Sequence, residues 1–205
     1  MHEQSLLPVP GFCPQAIFLD RDGTLNRERA DYVKCWQEYK WLPGAQEALA
    51  QLALWNAPIL IVTNQSAIGR GIIDFDVLNT IHARVRAEAV AAGGRIDQFL
   101  VCPHAPADQC TCRKPKPGLL LQAAAHYQLE LAHCIMIGDS ITDLLASEAA
   151  GCHCILLRSG RQGSTLDAMV AALVNKPAAP IVDDLAAAAT MLATAGHTLS
   201  KASLE

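Results

Sequence analysis

No apolar run in the 205 residues approaches the ~20 residues that a membrane-spanning helix needs. Residues 1–15 also lack a basic n-region followed by an apolar stretch, so no export signal is expected. A basic excess is missing too: 16 Lys and Arg against 20 Asp and Glu leave a net charge of −4, which argues against a nucleic-acid partner held on a broad basic face. An anionic ligand would have to be captured by a few local cations. No internal repeat is evident. Together these absences predict a soluble, cytoplasmic protein with neither membrane nor nucleic acid as partner. A monomer is expected, although nothing in these absences fixes the oligomeric state. Cysteine, by contrast, is plentiful. Eight cysteines without an export signal suggest metal ligation or free thiols rather than a disulfide scaffold.

Short apolar runs recur at residues 16–19, 59–62, 99–102, 134–137 and 154–157, mostly separated by stretches of helical spacing. That rhythm predicts alternating strands and helices, hence an α/β three-layer sandwich around a central parallel sheet. One helix is expected to bury Ala45, Ala48, Leu49 and Leu52. The next starts near Asp74 as N-cap and turns Leu78, Ile81 and Val85 inward. A third, from Pro117-Gly118, is expected to bury Leu120, Leu121 and Ala124, and a fourth, from Ile141, to bury Leu144, Leu145 and Ala149. A short strand or turn at residues 181–185 should lead into a helix over 186–195, followed by a frayed tail at 197–205. We expect one domain over residues 14–195, preceded by a lead at 1–13 and carrying an Ala-rich extension from residue 161.

In parallel α/β sheets, ligands bind beyond the carboxyl ends of the strands. The residues that follow the five runs are Asp20-Arg21-Asp22, Thr63-Asn64-Gln65-Ser66, Cys102-Pro103-His104, Gly138-Asp139-Ser140 and Arg158-Ser159-Gly160. Four of these ends are polar and reactive in type, which scattered surface loops would rarely achieve. Taken singly, each has a plain alternative: Asp22-Gly23 suits a solvated turn, Thr63-Asn64 a helix cap, and Lys114 a solvated loop cation.

Taken together and in order, Asp20-Arg21-Asp22-Gly23-Thr24, Thr63, Lys114, and Gly138-Asp139 with Asp143 four residues on resemble the four motifs of the haloacid-dehalogenase-like (HAD) phosphatases. The resemblance spans roughly residues 14–160. It implies that Asp20 is a nucleophile forming an aspartyl-phosphate, and that Asp22 protonates the leaving oxygen and later activates water. It further implies Mg²⁺ held by Asp20, Asp139 and the main-chain carbonyl of Asp22, with Asp143 orienting metal-bound water. Thr63 and Lys114 would bind the phosphoryl oxygens.

A second constellation is Cys102-Pro103-His104 followed by Cys110-Thr111-Cys112, running directly into Arg113-Lys114. Three thiols and an imidazole within this short loop can surround a tetrahedral Zn²⁺, and four protein ligands leave no open position, so the site would be structural. It would hold Arg113 and Lys114 in place. Free thiols in a flexible loop are the alternative. Cys152 and Cys154 alternate with His153 in a strand and are expected as small core residues.

About forty residues separate the first two motifs, too few for a large cap domain, so the site should be open, closed partly by residues 27–33 and the cysteine loop. Asp31-Tyr32-Val33, Asn64-Gln65-Ser66-Ala67-Ile68-Gly69-Arg70-Gly71 and Cys112-Arg113-Lys114-Pro115-Lys116-Pro117-Gly118 resemble the D-glycero-D-manno-heptose-1,7-bisphosphate 7-phosphatases. That resemblance implies a small sugar bisphosphate contacted by Asp31, Tyr32, Val33, Asn64, Gln65 and Ser66, with Arg113 recognising the sugar or its second phosphate. Two features differ: Ser140 stands where many members have a basic residue, and the short cysteine loop is similar to that of histidinol-phosphate phosphatases. Histidinol phosphate or another small sugar phosphate is the alternative substrate. An inactive zinc-stabilised binding protein is a further one, although none of the four motif residues is lost.

Overall fold

The computed structural model describes residues 11–160, 162–173 and 179–202, with 197–202 as backbone. Most of the expected lead (1–10), Arg161, 174–178 and the last three residues of the expected tail lie outside the described residues. Six strands form one sheet: β1 (Ala16–Leu19), β2 (Ile59–Asn64), β3 (Gln98–Cys102), β4 (Cys134–Gly138), β5 (His153–Leu157) and β6 (Ile181–Val182). Their order is β3-β2-β1-β4-β5-β6, and every pairing is parallel. β1 therefore lies at the centre, flanked by β2 and β4.

Both faces of the sheet are covered, which is why its strands are almost wholly apolar instead of alternating with polar residues. Ile17 and Leu19 of β1, Ile59 and Ile61 of β2, and Ile135 and Ile137 of β4 point to one side, where Leu49 and Leu52 of α1 (Ala45–Leu52) and residues of the C-terminal helix meet them. Ala16, Phe18, Leu60, Val62, Cys134 and Met136 point to the other, against Leu119, Leu120 and Ala123. Phe18 is completely buried, a burial that contributes about 1.5–3 kcal/mol.

The helices in order are α1, the one-turn α2 (Ser66–Gly69), α3 (Phe75–Ala91), α4 (Gly118–Tyr127), α5 (Ile141–Ala150), α6 (Gly163–Ala171) and α7 (Leu185–Ala202). Asp74 caps α3 by accepting from the Val77 N–H at 2.8 Å, and Leu78, Ile81 and Val85 face inward as expected. Two helix faces differ from the expectation. In α4 the buried set is Leu119, Leu120 and Ala123, while Leu121 is half exposed. Three consecutive leucines leave the phase of the apolar stripe undetermined, and contact with β3 selects the first two. In α5 Leu144 is buried, but Ala146 and Ser147, not Leu145 and Ala149, complete the inner face. The expected frayed tail is helical through Ala202. The expected domain start at residue 14 leaves out Phe12, which is buried and meets His153 edge-on at 4.6 Å. Cys152 and Cys154 are buried core residues. Among the described residues no helix is long and apolar enough to cross a membrane.

Between β1 and β2 the chain makes a short flap, tied by bridges Asp22 to Asn26 and Asn26 to Trp41, and then α1. No cap domain is present among the described residues. The carboxyl ends of β1, β2 and β4 are thus left open to solvent on one side of the sheet.

Candidate active site

Asp20 follows β1 and Asp139 follows β4, and the Asp20 N–H donates to the Ile137 carbonyl at 2.9 Å, so adjacent strands present these two acids side by side. Asp143 lies one turn further, in the first turn of α5, fully buried behind them. Lys114 enters from the loop before α4 and is itself buried. Its Nζ lies 2.8 Å from Asp20 Oδ1 and 2.5 Å from Asp143 Oδ1. Burial pushes the Asp20 carboxyl up to about 7 despite the Lys114 ammonium beside it, with Asp143 adding to the rise. Burial, then Asp20 and Asp143, drive Asp139 up to about 9. Lys114 is held charged: its desolvation is outweighed by Asp143 and Asp20.

Three acidic side chains thus share one ammonium, and the raised values of Asp20 and Asp139 show that ionising them together calls for further positive charge. One oxygen from each of Asp20, Asp139 and Asp143 lies within 4.8 Å of the others. Such an oxygen-only donor set suits a hard divalent cation that keeps several waters. The cradle is built tightly. A methyl group placed on Gly160 would fall 1.7 Å from Asp139 Oδ2, and one on Gly23, whose φ is +88°, would fall 2.3 Å from it. The Ser159 hydroxyl fastens the two loops together by donating to the Gly23 carbonyl at 2.8 Å. Ser140, the residue that departs from a basic type, serves locally. Its N–H and hydroxyl both donate to Asp143 Oδ2, which caps α5 and fixes Asp143.

Asp22 is surrounded by donors. Arg21 Nη2 lies 2.8 Å from Oδ2, Asn26 Nδ2 donates to Oδ1 at 2.9 Å, and Gln65 Nε2 donates to Oδ2 at 2.7 Å. Burial raises this carboxyl, but Arg21, Asn26 and Gln65 outweigh it and hold the group below its ordinary value. Gln65 also donates to Thr63 Oγ1 at 2.8 Å and so joins the two motif residues. Asn64 exchanges hydrogen bonds with the Lys114 backbone. Gln65 and Asn64, expected as ligand contacts, thus have their side chains engaged in holding Asp22, Thr63 and Lys114.

These groups open into a cavity of about 400 Å³, lined also by Tyr32, Val33, Ser66 and Arg113. Arg113 Nη1 donates to the His104 carbonyl at 3.2 Å, and Ser66 Oγ lies 3.4 Å from Tyr32 Oη. Asp31 does not line the cavity: Arg29 and Lys34 hold its carboxylate outward, and it is 61% exposed. Arg29, Arg70, Thr142 and Gln162 line the cavity without having been singled out in the sequence as ligand contacts. Nothing local marks Thr142 or Gln162; the fold alone brings them in. Arg21 is the larger omission: between two acids nothing in the sequence separates a buried arginine from a solvated one, and here it is buried.

Beside the cavity, Cys102, His104, Cys110 and Cys112 converge, with one donor atom from each within 4.8 Å of the others. The sulfurs lie 3.3–3.6 Å apart, and His104 Nδ1 lies 3.6 Å from Cys102 and 3.3 Å from Cys112. Sulfurs on a zinc tetrahedron with ~2.3 Å bonds stand about 3.8 Å apart, so the cluster fits that ion with a slight expansion. Burial pushes Cys102 up to about 12. Cys110 falls to about 7, because the Arg113 backbone N–H together with Cys112 and Cys102 outweighs its desolvation.

The HAD-hydrolase-like family profile matches residues 111–188. A Pseudomonas aeruginosa protein named D-glycero-beta-D-manno-heptose-1,7-bisphosphate 7-phosphatase is 40% identical over 179 residues, covering 86% of this chain and 96% of the relative. The D-glycero-alpha-D-manno-heptose-1,7-bisphosphate 7-phosphatase of Mycobacterium tuberculosis is 38% identical over 159 residues, covering 74% and 84%. Among solved structures, the D,D-heptose 1,7-bisphosphate phosphatase of B. bronchiseptica, complexed with magnesium and phosphate, superposes with a TM-score of 0.81 at 37% identity, covering 87% of this chain and 98% of that one.

Proposed function

Because the chain belongs to the D-glycero-D-manno-heptose-1,7-bisphosphate 7-phosphatase family of HAD-like hydrolases, we propose that it removes the 7-phosphate of that sugar bisphosphate. The observation that carries this reading is the convergence of Asp20, Lys114 and Asp139 at the open ends of β1 and β4, with Asp22 two residues past the first acid. A phosphate monoester repels nucleophiles through its own charge, so attack by a carboxylate needs cations preorganised around the phosphoryl group.

Asp20 attacks phosphorus and the bond to the sugar 7-oxygen breaks, leaving an aspartyl-phosphate. The negative charge of the arriving phosphate opposes the pull of Arg21 and favours the protonated form of Asp22, which enters the step as the acid. Asp22 then gives its proton to the departing oxygen and takes one back from the water that hydrolyses the intermediate, which frees phosphate and restores Asp20. Lys114, held by Asp143, carries fixed positive charge beside the nucleophile, and Thr63 adds a hydroxyl donor. Mg²⁺, when bound by Asp20, Asp139 and the Asp22 carbonyl, supplies the charge that offsets repulsion between the carboxylate and the phosphate. Zn²⁺, when held by Cys102, His104, Cys110 and Cys112, would be structural and would fix the loop that carries Arg113 and Lys114. Arg113, with Arg29 and Arg70 around the same cavity, suits the second phosphate.

The test is phosphate release from both anomers of heptose 1,7-bisphosphate, fructose 1,6-bisphosphate and histidinol phosphate, with Mg²⁺ present. A heptose anomer is expected to have the highest kcat/KM. A higher value for histidinol phosphate would reverse the assignment.

A further inference from the structure

Arg21 lies between the two motif acids, yet it is 1% exposed. A guanidinium in such a place must be held by partners, because an unpaired buried charge is strongly destabilising. Its Nε has no hydrogen-bond partner among the described residues. Its placement therefore depends on the two terminal nitrogens. Nη2 meets Asp22, and Nη1 lies 3.3 Å from Nε2 of His82, 61 residues further along the chain. Since a guanidinium only donates, the His82 Nε2 must present a lone pair, and its ring proton sits on Nδ1.

His82 is well fixed. It projects from α3, is buried, and stacks on Phe99 of β3 with ring centroids 4.0 Å apart and planes inclined by 9°. Burial and the Arg21 charge push its imidazole down to about 3, so it is a neutral acceptor at any working pH. A rigid acceptor on the scaffold thus fixes one end of Arg21, and the other end grips the Asp22 carboxylate.

We infer that His82, acting through Arg21, is a positioning residue that aims the Asp22 carboxyl at the leaving oxygen. This inference rests on the reading of Asp22 as the acid of a phosphatase. An acid must lie within hydrogen-bond reach of the oxygen it protonates, so a small rotation of Asp22 is felt most where protonation is needed most. An alkoxide leaving group from a sugar needs the proton. The 4-nitrophenolate ion, a weakly basic leaving group, departs without it.

The experiment compares kcat/KM, which for this two-step reaction reports formation of the aspartyl-phosphate, for the best sugar phosphate found in the panel and for 4-nitrophenyl phosphate. His82→Leu keeps the bulk and loses the acceptor; His82→Gln restores an acceptor oxygen. We expect His82→Leu to lower kcat/KM on the sugar phosphate about tenfold more than on the aryl ester, and His82→Gln to recover most of that difference. Equal losses on both substrates, or no rescue by Gln, would overturn the inference. Should His82→Leu fail to fold, Arg21→Lys, which retains charge but cannot span His82 and Asp22 together, must show the same selective loss. A wild-type protein inactive on every monoester would overturn the phosphatase reading itself, a result distinct from unaltered selectivity in the variants.

Discussion

The Asn64 side chain and the Lys114 backbone exchange two hydrogen bonds: Nδ2 donates to the Lys114 carbonyl and Oδ1 accepts from its N–H, each at 3.1 Å. In effect β2 gains one more rung, and the loop that carries the buried lysine is fastened to the strand end that carries Thr63. Asn64→Leu, which keeps the bulk, leaves both backbone groups unpaired at a cost of about 1–3 kcal/mol each when desolvated. The variant should melt earlier and lose at least about tenfold in kcat/KM as Lys114 loosens. A steady-state assay beside a thermal melt checks both.

Asp20→Asn should abolish turnover, with no phosphoenzyme detectable by acid quench and mass spectrometry, because an amide is no nucleophile towards phosphorus. Asp22→Asn leaves the nucleophile and should lower kcat on a sugar phosphate by about 10²–10⁴-fold, the usual contribution of a positioned acid and base. If Asp20→Asn retains near-wild-type turnover, the aspartyl-phosphate route is excluded.

Protein purified without added metal should contain close to one equivalent of zinc by elemental analysis. Cys112→Ser removes one of the four converging donors; a destabilisation of about 2 kcal/mol would lower Tm by about 4–8 °C in a chain of this size. Catalysis should fall as well, without recovery by excess Mg²⁺, because the loop leads directly to Lys114.

Gly160→Ala forces a methyl group into the Asp139 carboxylate. Overpacking of this kind costs about 1–3 kcal/mol. The more telling result would be a rise in the Mg²⁺ concentration for half-maximal activity, with the zinc content unchanged. A magnesium titration followed by activity measures the first, and elemental analysis the second.

His82 gives the fold an acid-sensitive element. Its folded value, near 3, lies below the ordinary 6.5, so between these limits the unfolded chain binds the extra proton. Stability from this group is therefore fully present above about 6.5 and is lost as pH falls towards 3, at up to about 1.4 kcal/mol per pH unit. Urea melts at pH 7 and pH 5 should show a smaller pH-dependent loss in His82→Gln than in the wild type.

The parts of the site that local sequence reveals are those at strand ends. Asp20, Thr63 and Asp139 each follow a short apolar run, and the sheet brings those ends together without further instruction. The Cys102 to Cys112 loop was legible for a similar reason, since its donors lie close along the chain. Arg21 was not, because a cation between two acids reads as solvated, and only His82 and Asp22 in three dimensions account for its burial. Asp31 stands apart from Tyr32 and Val33 of the same motif: those two line the cavity, whereas the Asp31 carboxylate is paired with Arg29 and Lys34 and largely exposed. The burial faces of α4 and α5 were lost to runs of similar apolar residues, whose choice of inner face depends on the sheet beneath them.

The strand order has a further consequence for the chain during its synthesis. β1 is made first but ends at the centre, and its neighbours β2 and β4 arrive with residues 59–64 and 134–138. Until then its backbone groups are unpaired on one edge or both, an arrangement open to pairing with other chains. Asp20 likewise emerges long before Lys114 and Asp139, so a chain halted short of residue 139 lacks part of the converging set. Such a fragment is expected to be a client for chaperones and proteases rather than a weak enzyme.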